Sequence, residues 1–405
     1  MNWSSRAVGA GRTRSRARSA SDAVRDADQR LTSVSASLEF LLLVTPSNLR
    51  EAWTRFQAER FERAPLFNYR PPAVDPRVSK RVLDDVDLEQ IEDPTLALIF
   101  GEKRRELDEL ITMLLERNTP RFVQGSLRVF GGVDSALRDL ARQLLAKLPD
   151  RGSKQGSDPP IDASGFVELA KKELEHYRAQ WSGFTPEVRV RPDVPSLIVE
   201  GGNLFVGSQL SLELSRAHAL IQHEIGTHLL TYYNGLAQRL QHLSSGLAGY
   251  EALQEGLAVL AEHLVGGLTT QRLRLIASRV VAVERLLEGA SFVDTFRELC
   301  REVGLGHQAA FIVCMRVYRG GGLTKDAIYL RGLEDVLRHL AEGADLSELF
   351  VGKIAIRHLP MVRELRQRKM LDRPRLLPRY LEDERARARL ARLGRGASVL
   401  DLVEE

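Results

Sequence analysis

The chain has 405 residues, 43% hydrophobic and 28% charged, a composition that excludes collagen-like, disulfide-scaffold and wholly disordered proteins. Two cysteines are too few for a disulfide framework, so we expect a reducing compartment, the cytoplasm. The net charge of +4 is unevenly placed, because residues 1–30 carry +4, residues 363–395 carry +7 and the rest of the chain carries −7. The basic ends alone do not predict a nucleic-acid partner, and no apolar run is long enough to predict a membrane span.

The first third of the chain is predicted to be helical. Residues 1–30 are rich in Arg and Ser without an apolar segment, and we expect a disordered tail there rather than a secretory signal. Residues 31–148 have apolar positions at helical spacing, at 94–117 for example, and predict a helical N-terminal region. Within it, RFVQGSLRVFG at 121–131 is predicted to be a short extended segment.

Three further segments complete the predicted organisation. Residues 149–161 (PDRGSKQGSDPPI) lack periodicity and predict a linker or long surface loop. Residues 162–362 are predicted to form a second domain, and residues 363–405 a basic C-terminal segment. The predicted fold class is therefore α+β and mainly helical, with a helical N-terminal region beside a domain that has a small sheet next to a long helix.

The predicted sheet precedes a long helix. Val188–Arg191 and Leu197–Val206 have the composition and alternation of strands, the second interrupted by Gly201–Gly202. A helical run follows from about Leu212 to Tyr233. The chemistry that the sequence predicts is concentrated in this helix.

The helix contains the segment HEIGTH, from His223 to His228. In the common zinc-peptidase helix two histidines at i and i+4 share a face, and the intervening glutamate reaches the metal-bound water. Here the spacing is i, i+5, which would place the rings roughly 140° apart on a regular helix. If both histidines bind one ion, the helix must take up one extra residue, as a π-bulge or local unwinding, and Gly226 is the residue best suited to this distortion.

A catalytic zinc requires a third protein ligand. Glu251, Glu255 and Glu262 follow in another helical run, and their spacing alone does not choose among them. Glu255 is favoured because it lies in the apolar stretch LQEGLAVLA, where burying an unpaired carboxylate is costly and a metal bond removes that cost.

These motifs resemble a known family. HEIGTH followed by QEGLA is similar to the bacterial flavohemoglobin expression-modulating QEGLA-motif proteins, which in turn resemble the eukaryotic microtubule-associated tyrosine carboxypeptidases. The latter remove a C-terminal tyrosine from tubulin. The resemblance covers about residues 35–380, with VEGGNLFVG, YEALQEGLAVLAEHLVGG and RVYRGGGLTKDAIYLRG as further specific segments.

The resemblance implies a role for each motif residue. His223, His228 and Glu255 would be the zinc ligands, and Glu224 the catalytic acid/base. Such a site implies hydrolysis of a peptide bond by a zinc-bound water that Glu224 activates. The resemblance also implies that residues 162–362 form a zincin-like, metallopeptidase-like catalytic domain, with the small sheet beside the metal-binding helix.

Substrate-binding residues are predicted on both sides of the metal helix. The segment 315–329 offers cations and hydroxyls for the oxyanion and for a terminal carboxylate, with Arg319, Lys325 and Tyr329 as the main candidates and Arg316 and Tyr318 as others. By analogy with strand addition in zinc peptidases, Asn203 is a candidate for holding the substrate backbone.

The sequence therefore predicts a zinc-dependent peptidase, specifically a carboxypeptidase that acts on a peptide or protein C-terminus. Two alternatives remain. The first is a non-enzymatic regulator that binds nucleic acid or an acidic partner through the basic ends. The second is a zinc hydrolase of a non-peptide amide.

Overall fold

The computed structural model describes residues 20–149, 159–192, 194 and 196–403. The fold is α+β and mainly helical, with one two-stranded and one three-stranded sheet, as the sequence predicts. Among the described residues, no helix has both the length and the apolar character that a bilayer crossing requires.

The described N-terminal part consists of helices that begin at clear capping signals. Asp75 and Asp93 each cap a helix whose first residue is proline, a residue preorganised for the first helical turn. The helices are α1 (Ala20–Leu38), α2 (Phe40–Leu43), α3 (Leu49–Ala58), α4 (Pro76–Asp84), α5 (Pro94–Leu115), α6 (Arg121–Phe130) and α7 (Ser135–Lys147).

Helices α1 and α6 differ from the expectations. Residues 20–30 belong to α1 rather than to a disordered tail, since Ala23 and Ala27 lie one turn apart and are buried. The preceding residues 1–19 lie outside the described part of the chain. The segment at 121–131 is helical rather than extended, because Phe122, Ser126 and Phe130 recur every four residues and form one buried face.

Five short strands precede the predicted metal helix. They are β1 (Pro160–Asp162), β2 (Val188–Arg191), β3 (Leu197–Glu200), β4 (Asn203–Gly207) and β5 (Ser211–Glu213). β1 pairs antiparallel with β5, so the end of the predicted linker forms a strand, while residues 150–158 lie outside the described residues. In the other sheet β4 is central, parallel to β2 and antiparallel to β3, and Gly201–Gly202 forms the predicted turn with positive φ at both residues.

The remaining helices enclose the centre of the molecule. They are α8 (Ala163–Gln180), α9 (Leu214–His223), α10 (Leu230–Leu236), α11 (His242–Ser245), α12 (Tyr250–Leu264), α13 (Thr270–Leu287), α14 (Phe292–Arg301), α15 (His307–Tyr318), α16 (Ile328–Ala341), α17 (Leu359–Gln367) and α18 (Glu384–Leu393). Strands β3 and β4 pack against the junction between α9 and α10, which places the small sheet beside that helix.

One hydrophobic core runs through both halves of the described chain. Phe56 of α3 contacts Phe292, Phe296 and Phe311 with ring centroids 4.9–5.8 Å apart. At the other end of the chain, the backbone carbonyl of Leu402 accepts a hydrogen bond of 2.9 Å from the ring of His263. The N-terminal helices and the basic C-terminal segment therefore both pack on the body that carries the predicted site.

Candidate metal centre

The helix that carries HEIGTH contains a π turn. Residues Glu224–Leu229 form this turn between α9 and α10, which confirms the distortion predicted from the i, i+5 spacing. The extra residue brings the His223 and His228 rings to the same side, with centroids 5.1 Å apart. At Gly226 a Cβ would lie 2.6 Å from Gln222 Oε1, so glycine leaves space for a neighbouring side chain as well as easing the turn.

Helix α12 supplies the carboxylate that completes the cluster. Glu255 Oε2 lies 3.8 Å from His223 Nε2 and 3.9 Å from His228 Nε2. One ligand atom from each of the three residues lies within 4.8 Å of the others. These separations are comparable with the span of two metal–ligand bonds of about 2.0 Å each.

Two facing glycines allow α12 to approach. Gly256 on α12 and Gly332 on α16 lie where the two helices touch backbone to backbone. A methyl group on Gly332 would overlap the carbonyl oxygen of Ala252, and one on Gly256 would overlap the carbonyl group of Gly332. The glycine of QEGLA thus sets the position of the helix that presents Glu255.

The two oxygens of Glu255 have different surroundings. Oε1 accepts a hydrogen bond of 3.4 Å from Lys325 Nζ, whereas Oε2 is buried without a hydrogen-bond partner among the described residues. Burial raises the pKa of Glu255, but the nearby charges of Lys325, His228 and His223 outweigh it and hold its pKa at about 2. The carboxylate is therefore ionised at neutral pH, with one oxygen unpartnered.

A second carboxylate orients His223. Glu262 Oε1 accepts a hydrogen bond of 2.8 Å from His223 Nδ1, which directs Nε2 toward Glu255. Arg216 and Arg272 donate hydrogen bonds to the same buried carboxylate. Burial raises the pKa of Glu262, but the charge of Arg272 and the hydrogen bond from His223 outweigh it and hold that pKa well below its usual value.

His228 is supported by an amide. Its Nδ1 donates to Gln254 Oε1 over 3.4 Å, and the same oxygen accepts a hydrogen bond of 2.7 Å from Thr231. Burial lowers the pKa of His228 to about 4, so its ring is neutral at pH 7 and retains a lone pair for a metal.

The three glutamates left open by spacing now have distinct places. Glu255 converges with the two histidines. Glu262 accepts a hydrogen bond from Nδ1 of His223, on the side of the ring away from Glu255. Glu251 Oε1 lies 3.6 Å from Lys325 Nζ. The sequence contained a signal for Glu262, since it follows Glu255 by two helical turns and lies in an equally apolar stretch. Its role as a hydrogen-bond acceptor depended on which face of α9 it meets, which spacing does not reveal.

Glu224 lies at the start of the π turn and is buried. Burial raises its pKa to about 7, with the charges of Glu255 and Glu262 adding to the rise and that of His223 opposing it. A carboxyl group with a pKa near neutrality both accepts and returns a proton, which suits general acid/base chemistry.

Two of the predicted substrate-binding residues lie at the cluster. Lys325 contacts Glu255 and Glu251, as described above. Tyr329 is buried between Lys325 and Arg279, whose charged groups lie 5.8 Å and 4.7 Å from its ring centroid, and its hydroxyl lies 3.5 Å from Arg316 Nη2. Burial raises the pKa of Tyr329, and the charge of Glu255 raises it further.

The other candidates are engaged elsewhere. Arg319 donates a hydrogen bond of 2.9 Å to Thr45 Oγ1 in the N-terminal region. Asn203 accepts one of 2.9 Å from the backbone N–H of Glu187 and so ties the start of β4 to the residue before β2.

The two secondary candidates also have partners within the protein. Tyr318 donates to the backbone carbonyl of Ala290, and Arg316 makes two hydrogen bonds to Asp326.

The structure also brings Lys353, Tyr232 and Tyr250 together at the site, and sequence reasoning missed all three. Lys353 lies in the loop after the 3₁₀ turn Leu346–Phe350, and its Nζ is 5.4 Å from the ring centroid of Tyr232 and 5.6 Å from that of Tyr250. No local motif marks Lys353, because it comes from a loop about a hundred residues beyond the ligands.

Two imidazoles and one carboxylate converge beside the buried Glu224, and these side chains are of the types that bind a zinc ion. The family model described as microtubule-associated tyrosine carboxypeptidase matches residues 54–397, and the chain belongs to this family. This match confirms the similarity to these carboxypeptidases that the QEGLA and HEIGTH segments indicated. No curated protein and no solved structure matches the chain.

Proposed function

We propose that the protein is a zinc-dependent carboxypeptidase that removes the C-terminal residue of a peptide or protein. The observation that carries the proposal is the convergence of His223, His228 and Glu255 beside the buried Glu224. Family membership supports the carboxypeptidase class, and the family description makes tyrosine the first terminal residue to test.

The three converging residues fit a zinc ion. The buried Oε2 of Glu255 has no hydrogen-bond partner in the described chain, and a bond to a cation would compensate for its burial. His228 is neutral and Glu255 ionised at pH 7, the protonation states in which these side chains bind metal. Two histidines and one carboxylate are a known ligand set of catalytic zinc, which leaves a position for water or substrate.

The chain's own residues supply the proton transfers. The chemistry that zinc contributes when bound is activation of water near neutral pH and polarisation of the scissile carbonyl. The Glu224 carboxylate takes a proton from the attacking water and returns it to the leaving amine nitrogen. Tyr329, whose raised pKa keeps its hydroxyl protonated, is a donor for the negative charge that develops on the carbonyl oxygen.

Metal content tests the first part of the proposal. We expect purified wild-type protein to contain one zinc per chain by elemental analysis, and the His223→Ala variant to contain almost none. The matched control is His218→Ala, which changes an exposed histidine of the same helix and should leave the zinc content unchanged. Wild-type protein without stoichiometric metal would overturn the peptidase proposal.

Turnover tests the second part. We expect wild-type protein to release the last residue of peptides from a C-terminal library, and Glu224→Gln to retain its zinc while activity falls at least about 100-fold. Glu175→Gln, on the exposed face of α8, is the control that should remain active. Zinc binding without turnover on any peptide or other amide would instead support the regulatory alternative, and cleavage of non-peptide amides alone would support the second one.

A further inference from the structure

Lys353 is held in a fixed position beside the proposed zinc site. Its backbone N–H donates to the carbonyl of Leu243 over 2.8 Å, and its own carbonyl accepts from the N–H of Leu247 over 2.9 Å. These two hydrogen bonds fasten the loop to α11 and to the segment that joins α11 to α12. The lysine side chain therefore extends from an anchored backbone.

Two tyrosine rings enclose the ammonium group. Tyr232 lies four residues after His228, and Tyr250 begins the helix that carries Glu255, so each ring comes from an element of the metal site. The distances of 5.4 Å and 5.6 Å from Nζ to the two centroids are those of cation–π contacts. Tyr232 also packs on Gly202, where a Cβ would overlap its ring, so the hairpin turn keeps this ring in place.

The ammonium of Lys353 has no carboxylate in direct contact. Within the described part of the chain it makes no hydrogen bond and has no carboxylate within 4.0 Å, and it lies over the two rings. Burial lowers the pKa of Lys353 to about 8, although the more distant charge of Glu251 opposes this shift, so the side chain is still mainly protonated at pH 7. A half-buried cation without a directly bound counter-charge is unfavourable, and an incoming carboxylate would reduce that cost.

Three other cations near the candidate ligands already have carboxylate partners. Lys325 contacts Glu251 and Glu255, Arg316 makes two hydrogen bonds to Asp326, and Arg272 binds Glu262. Lys353 differs from these three because no carboxylate of the described chain lies within 4.0 Å of its ammonium group.

We propose that Lys353 binds the C-terminal carboxylate of the peptide substrate, with Tyr232 and Tyr250 on either side of the ion pair. This inference rests on the proposed carboxypeptidase function. In a carboxypeptidase the terminal carboxylate is three bonds from the scissile carbonyl carbon, so its receptor must lie close to the metal ligands, as Lys353 does. Arg319, a sequence-predicted candidate for binding the terminal carboxylate, instead directs its guanidinium to Thr45 in the N-terminal region.

The direct test is binding to a protein that does not cleave its ligand. In the Glu224→Gln background, calorimetry compares an octapeptide ending in tyrosine with a free carboxylate against the same peptide ending in an amide. We expect the acid to bind about 10- to 100-fold more tightly, the range for a charge-assisted hydrogen bond. Adding Lys353→Met should abolish this preference, whereas adding Lys172→Met, an exposed lysine of α8, should preserve it.

A measurement on the Glu224→Gln protein, in which Lys353 is unchanged and the peptide is not cleaved, protects the test against misfolding of the Lys353→Met variant. Lys353 is acetylated with an N-hydroxysuccinimide ester and its modification is quantified by mass spectrometry, with either peptide present. Protection by the acid but not by the amide supports the proposal, and equal modification with both peptides overturns it.

The outcomes separate this proposal from the proposed function. If wild-type protein hydrolyses peptides and Lys353→Met still prefers acids to amides, the role of Lys353 is refuted while the carboxypeptidase stands. If no peptide is hydrolysed but binding depends on Lys353 and the free carboxylate, the receptor stands and the enzymatic proposal fails. Equal binding of acid and amide to the Glu224→Gln protein refutes the receptor directly.

Discussion

At the scale of single residues, the site depends on which atom of each side chain is left free. Glu262 accepts a hydrogen bond from Nδ1 of His223, and Lys325 donates one to Oε1 of Glu255. The atoms that remain, Nε2 and Oε2, are those that converge. Carboxylates that hold a ligating histidine in this way fix the ring orientation and increase the basicity of the ligand.

We expect Glu262→Gln to weaken zinc binding by about 10- to 100-fold, because the amide is a poorer acceptor for His223 and leaves Arg216 and Arg272 without their counter-charge. Competition with a chelator of known affinity measures the effect. Glu175→Gln is the control for the same change at an exposed position. Unchanged affinity in Glu262→Gln would show that the 2.8 Å hydrogen bond does not support the metal ligand.

Asp326 offers a residue-scale prediction about stability. It is fully buried, accepts two hydrogen bonds from Arg316 and lies 3.7 Å from Arg279. Burial raises its pKa, but the charges of Arg316 and Arg279 outweigh it and hold the pKa well below its ordinary value. We expect Asp326→Asn to lose about 3–5 kcal/mol in urea unfolding at pH 7, because two buried guanidinium groups lose their partner.

The contribution of Asp326 to stability depends on pH in a defined way. A carboxyl group with a depressed native pKa contributes stability above its unfolded pKa of about 3.9 and loses it as the pH falls toward the native value. The stability of the wild type should therefore decline more steeply than that of Asp326→Asn below about pH 5. Asp139→Asn, at an exposed position, should follow the wild-type profile, and parallel profiles for all three proteins would contradict the assignment.

At the scale of elements, the contact between α12 and α16 determines where Glu255 lies. Gly256 and Gly332 have no space for a Cβ, because the backbone of one helix touches that of the other. The QEGLA segment therefore combines a ligand with the close helix contact that positions it. A substitution at this crossing should affect stability and metal binding together.

We expect Gly256→Ala and Gly332→Ala each to destabilise the protein by at least about 1–3 kcal/mol, the usual cost of overpacking a core. Chemical denaturation measures this cost, and chelator competition should show weaker zinc binding in Gly256→Ala. Gly101→Ala on α5 is the matched control, since its Cβ would make only ordinary contacts, with Arg105 and Leu88, and should stabilise that helix by about 0.5–1 kcal/mol. Wild-type stability in both crossing variants would refute the close contact.

At the scale of the whole molecule, the N-terminal helices are joined to the segments that build the site. The Asp28 carboxylate accepts hydrogen bonds of 2.8 and 2.9 Å from the backbone N–H groups of Gln241 and His242. Tyr69 accepts another of 2.8 Å from the N–H of Gly320. Together with the shared aromatic core around Phe56, these contacts predict that the N-terminal region does not unfold separately.

A pair of tryptophan reporters tests this cooperativity. In a background with Trp3 replaced by Phe, the Trp181→Phe variant leaves Trp53 on α3, and the Trp53→Phe variant leaves Trp181 after α8. We expect the two fluorescence transitions in urea to have the same midpoint, because the reporters belong to one cooperative unit. Two separated midpoints would show that the halves fold independently.

Sequence reasoning succeeded where local geometry decides. The i, i+5 spacing of His223 and His228 predicted a π-bulge or a local unwinding, since a regular helix does not place both rings on one side, and the structure has a π turn there. Sequence reasoning did not distinguish a helix from an extended segment at 121–130, because a short apolar pattern fits both the helical and the strand period. The sequence could not predict the position of Lys353, since this position depends on a loop held by long-range backbone hydrogen bonds.

The π turn has a consequence beyond the two histidines. One added residue rotates all that follows on the helix by about 100° relative to what precedes it. Tyr232 lies after the turn, so its direction toward Lys353 depends on the same added residue that brings His228 to His223. The turn thus sets the orientation of the helix for the proposed metal ligands and for Tyr232 beside the proposed carboxylate receptor, and a helix shorter by one residue here would misalign both.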